Sequence, residues 1–156
     1  MLPGGYNNNM QIIQGPGYVA ILQEMNHSAR IIPTDARPHA AQSVRQWSGD
    51  SRGHWEGNAL VVDVTNFTGR NPFRGSGEKL HVVERFTPVD QDTILYQFTV
   101  QDPETWDKPW TAELAMSKVK GPIYEFACHE GNFGLANTLR GARVADEEAA
   151  AKNGAK

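Results

Sequence analysis

A single cysteine, Cys128, stands among 156 residues. One thiol excludes an internal disulfide, a CxxC redox pair and a cysteine-rich zinc site. Long apolar runs are missing as well; none approaches the roughly 20 residues of a membrane-spanning helix. No cluster of basic residues is present. The chain carries 15 Lys and Arg against 18 Asp and Glu, a net charge of −3. That balance argues against nucleic-acid binding, because phosphate contacts supply most of that affinity. Several catalytic signatures are absent. There is no GxSxG elbow, no GxGxxG turn or P-loop, and no HxH or HExxH pair. The first residues, MLPGGYNNNMQ, have no basic and no apolar stretch and so predict no signal peptide, although a trimmed mature chain would read the same way.

What remains has the composition of one globular domain, 39% hydrophobic and 21% charged. Residues 1–9, with Pro3, Gly4, Gly5 and the Asn7–Asn9 run, read as an irregular lead-in. From residue 10 to 132, short apolar runs alternate with turn chemistry. MQIIQ (10–14), YVAILQEM (18–25) and ARII (29–32) precede a Pro- and Ala-rich loop over 33–42. GHWEGNALVVDVTNF (53–67) reads as two strands joined at Gly57-Asn58, a tight-hairpin dipeptide. LHVVERF (80–86) and ILYQFTV (94–100) flank the turn PVDQD, and WTAELAM (110–116) and IYEFACH (123–129) flank Lys120-Gly121-Pro122. Ile94, Tyr96, Phe98 and Val100 share one face, and Trp110, Ala112, Leu114 and Met116 share another, which is period 2. The pattern predicts a mainly β chain: an antiparallel up-and-down barrel of lipocalin-like kind, with a β-sandwich or jelly roll as the alternative. Residues 133–156 predict a C-terminal helix and polar tail packed outside the barrel, with a break at Gly141.

The strings GHWEGNALVVDVTNF, LHVVERFTPVD, DPETWDKPWT and YEFACHEGN (124–132) together resemble a large family of exported soil-bacterial proteins, over residues 6–143. That family has no established activity, so the resemblance brings no catalytic residues. It implies secretion to the periplasm or beyond. It also implies a further N-terminal segment, in which a cysteine would give Cys128 a disulfide partner.

Several side chains are able to carry chemistry. His27, His81 and His129 sit on or beside strands, each near a carboxylate: Glu24, Glu84 and Glu130. Imidazoles converging from separate strands would form a transition-metal site for Zn, Cu, Fe or Mn; without metal, His81, Glu84 and His129 would act as general acid and base. The adjacent Cys128, His129 and Glu130 cannot converge on one atom, because neighbours on a strand point to opposite faces. Glu84 shares its face with Leu80, Val82 and Phe86. It is therefore expected either as a pocket acid or in a buried ion pair with Arg30, Arg45 or Arg52. Asp35 and Arg37, with His39, would rim a barrel mouth or form an ordinary turn. Trp47, Trp55, Trp106 and Trp110 would form a stacking platform, with Trp110 also suited to the core and Trp55 to the barrel floor. Glu24, Arg30, Trp47, Tyr96 and Tyr124 are the expected ligand contacts.

The resulting expectation is an exported barrel that binds a small apolar or aromatic ligand in its mouth. The alternative is a small His/Glu enzyme for hydrolysis, elimination or isomerisation. A plain interaction domain is a third option. Neither nucleic acid nor a membrane span is expected, and the oligomeric state stays open, a homodimer among the options.

Overall fold

The computed structural model describes residues 8–70, 73–127 and 130–154. The chain divides into two compact units, Met1–Tyr124 and Glu125–Lys156. In the first, the described residues form eight strands: β1 (Met10–Gly15), β2 (Tyr18–Gln23), β3 (Ala29–Pro33), β4 (Asp50–Glu56), β5 (Ala59–Thr65), β6 (His81–Pro88), β7 (Thr93–Gln101) and β8 (Trp110–Ser117). They make two antiparallel meanders, one of β1-β2-β3 and one of β4-β5-β6-β7-β8.

Local chemistry sets these ladders. Glu56 pairs with Ala59 across Gly57-Asn58, and Gly57 carries a φ of 62° that a side chain would resist. The same register places Arg52 opposite Asp63, and the next ladder places Asp63 opposite Val83. The expected alternation of β7 and β8 holds. Tyr96, Phe98 and Val100 are buried, and Trp110, Ala112, Leu114 and Met116 pack against them.

The two sheets share one core. Val19, Ile21 and Ile32 of the three-stranded sheet join Leu60, Val62, Val64, Val82, Phe86, Tyr96, Phe98 and Val100 of the five-stranded one. At Gly53 of β4 an added Cβ would stand 2.8 Å from Ile32 Cγ2 and 3.3 Å from Leu60 Cδ1. The missing side chain is what lets β3 lie against β4.

Three expectations are corrected here. No ladder joins β3 to β4 or β8 to β1 among the described residues, so the strands form two sheets and no closed barrel. Residues 123–127 form no strand. Their apolar alternation finds no partner ladder, and strand propensity needs one. Gly141 does not end the tail helix; α1 runs unbroken from Gly134 to Gly154. Flanking Ala, Leu, Arg and Glu residues, all good helix formers, offset the roughly 1 kcal/mol that a mid-helix glycine costs. Asn132 Oδ1 accepts the Gly134 N–H at 3.1 Å at its start.

Candidate functional site

Three places in the first unit bring functional side chains together. The first is a cavity of about 180 Å³ between the ends of the two sheets. Ile12 and Gln14 of β1 and Val19 and Ile21 of β2 form one wall. Trp55, Leu60, Phe86, Pro88 and Ile94 form the other. Gln14 is the one polar side chain. Ile12 and Trp55, 38% and 46% exposed, stand at its opening.

The second lies deeper. Glu84, on the inner face of β6 between Val82 and Phe86, is fully buried. Arg30 reaches it from β3 across the gap between the sheets. Its Nη1 donates to Glu84 Oε1 at 3.2 Å, and Nη2 pairs with Oε2. Tyr96 Oη donates to Oε1 at 2.7 Å. Burial alone would raise the Glu84 carboxyl. The Arg30 guanidinium counters that, and the carboxyl is lowered to about 2. Burial pushes the Tyr96 hydroxyl well above the ordinary tyrosine range, and the charge of Glu84 adds to the rise. The Phe86 ring lies 4.8 Å from the Tyr96 ring and also lines the cavity.

The third lies on the outer face of the five-stranded sheet. His81 Nε2 meets Asp63 Oδ2 at 2.6 Å, and Asp63 Oδ1 meets His39 Nε2 at 2.8 Å. His39 Nδ1 meets Asp50 Oδ2 at 2.8 Å. Asp50 also accepts the Ala40 N–H at 2.9 Å and Arg52 Nη1 at 2.7 Å. Burial raises the Asp50 carboxyl, but the Ala40 N–H, His39 and Arg52 together bring it below the ordinary aspartate value. The result is an alternating chain of imidazoles and carboxylates. It is half-exposed at His81 and Asp63 and buried at Asp50.

The sequence candidates are divided among these places. Arg30, Glu84 and Tyr96 converge, in the ion-pair form foreseen for Glu84. Arg45 instead donates to Glu78 O at 2.9 Å, and Arg52 serves Asp50. His81 and Glu84 lie on opposite faces of β6, so they do not act on one substrate atom. Glu24 is buried and accepts Asn9 Nδ2 at 2.8 Å. His27 ends the 3₁₀ turn Met25–His27 after β2. Cys128 and His129 lie outside the described residues, and with them the catalytic and metal roles expected of His129. Among the described residues no three His, Cys, Asp or Glu side chains are arranged to hold a metal ion.

The four tryptophans do not form a platform. Trp47 is 64% exposed, Trp55 lines the cavity, and Trp106 packs edge-on against Trp110 at 5.6 Å beside the core. Tyr124 is exposed. Asp35 and Arg37 form a local turn pair, Arg37 Nε donating to both carboxylate oxygens at 2.8 and 2.9 Å. Asp63 and Asp50 belong to no motif in the sequence. The signal for Asp63 was a carboxylate inside LVVDVT whose hairpin register puts Arg52 opposite. His39 is brought to them by an irregular loop.

The chain matches no family model, no curated protein and no solved structure.

Proposed function

We propose that this protein binds a small apolar or aromatic molecule in the cavity between the ends of its sheets. The observation that carries this reading is the lining of this partly open cavity of about 180 Å³, apolar throughout except for Gln14. A cavity on the order of 150 Å³ lined by Leu, Ile and Phe holds benzene. A single ring or a short branched chain therefore fits, and a longer ligand would extend out past Ile12 and Trp55. In this reading the meanders are the walls of an incompletely closed, lipocalin-like barrel, and the cavity is its mouth. The resemblance to exported proteins adds a location: the protein would be a secreted or periplasmic carrier.

The test is to titrate methyl-labelled protein with benzene, toluene and indole and follow the methyl resonances of Ile12, Ile21, Leu60 and Ile94 by NMR. Saturable shifts at these methyls are expected, and Ile12→Trp, which fills the opening, should remove them without lowering the melting temperature. If none of the three compounds produces a saturable shift, the reading is wrong.

A further inference from the structure

We propose that His81 is a general base on the outer face of the five-stranded sheet, suited to small carbon acids in elimination or isomerisation reactions. The ring has two different sides. Its Nε2 faces Asp63 Oδ2 at 2.6 Å. An ionised carboxylate only accepts hydrogen bonds, so this contact holds the ring proton on Nε2. Nδ1 then carries the lone pair. Among the described residues Nδ1 makes no hydrogen bond and is not buried, and the side chain is 38% exposed. A base must be oriented by one nitrogen and open at the other, and this geometry supplies both.

The rest of the chain keeps Asp63 in place. His39 has a carboxylate oxygen at each ring nitrogen, Asp50 Oδ2 and Asp63 Oδ1, both at 2.8 Å. Both ring nitrogens of His39 are thereby engaged, one by each carboxylate. Asp50 anchors it, itself fixed by Ala40 N–H and Arg52. Asp63 is thus a positioning residue held from behind, and His81 is the group that meets the substrate. In the reaction the Nδ1 lone pair takes a proton from carbon, and the C–H electron pair forms the new π bond. The leaving group departs with its own electron pair, or in an isomerisation the proton returns at a neighbouring carbon.

The probe is 5-nitrobenzisoxazole, whose ring opening needs only a base. The C–H proton is lost, the nitrile forms and the N–O bond breaks to a coloured phenolate. Wild-type protein should accelerate this by about 10²-fold over free imidazole at equal concentration, the lower end of what a positioned base contributes. His81→Gln should return to background, and Asp63→Ala should lose most of the rate while keeping its melting temperature. Asp63→Ala should also lose a slowly exchanging His81 Nε2–H resonance in the NMR spectrum of the wild type, which a merely structural Asp63 would not control. Unchanged rates in His81→Gln or Asp63→Ala overturn the proposal, as does a wild type no faster than imidazole. Activity that a chelator removes also overturns it, by assigning the chemistry to a bound metal.

Discussion

Arg30→Met takes one cation from a carboxylate that water does not reach and keeps most of the length of the side chain. Its cost follows from the geometry. Arg30 Nη1 stands 3.2 Å from Glu84 Oε1. At that separation and an effective dielectric of about 20, the charge attraction is roughly 5 kcal/mol. Removing Arg30 also removes the desolvation of its own charge, so the net loss is smaller. Breaking a buried pair from one side typically costs about 3–5 kcal/mol. Urea unfolding at pH 7, followed by tryptophan fluorescence, reads this as a lower midpoint at unchanged slope.

The pH dependence supplies a second sign. The folded-state value of Glu84 is lowered, to about 2 from an ordinary 4.5. Its contribution to stability is therefore present above about pH 4.5 and lost as the pH falls through about 2. Without Arg30 that acid-side loss should shrink. The triple variant Arg30→Met/Glu84→Leu/Tyr96→Phe removes all three polar groups at once, and it should be at least as stable as Arg30→Met alone. A single variant within about 1 kcal/mol of wild type would refute the claim that this pair is a costly buried charge couple.

Gly53→Val should destabilise by about 1–3 kcal/mol in the same assay, because the new side chain meets Ile32 and Leu60 inside a filled core. Asp102→Ala should cost about 1.5–3 kcal/mol, since its carboxylate accepts the Gly77 and Glu104 N–H groups at 2.7 and 2.9 Å. Burial raises that carboxyl, but the two N–H groups, Thr105 and Lys79 together lower it. Its contribution should therefore fade as the pH drops below the ordinary aspartate range, and the melting temperatures of wild type and variant should converge in acid.

Much of the fold was legible because a strand with one buried face writes period 2 into its sequence. Gly57-Asn58, PVDQD and the apolar faces of β7 and β8 were local signals, and each formed as read. The same reading failed at 123–127, where the alternation was equally clean but no neighbouring ladder took it up. It failed at Gly141, where flanking helix formers outweighed one glycine.

Glu84 could be recognised from its strand alone, as a carboxylate on an apolar face that needed a partner. Which arginine answered it depended on β3 crossing over β6, a contact between residues 54 positions apart. His81 and Glu84 could be placed on opposite faces by counting, whereas the approach of His39 to Asp63 could not, because an irregular loop carries it there. The sequence by itself determined strand faces, turns and the apolar face on which Glu84 sits, since these depend on neighbours a few residues away. Only the tertiary structure decided that the strands split into two sheets, that an apolar cavity lies between their ends, and that two imidazoles meet one carboxylate. Those outcomes depend on which faces pack together, and periodicity carries no record of that.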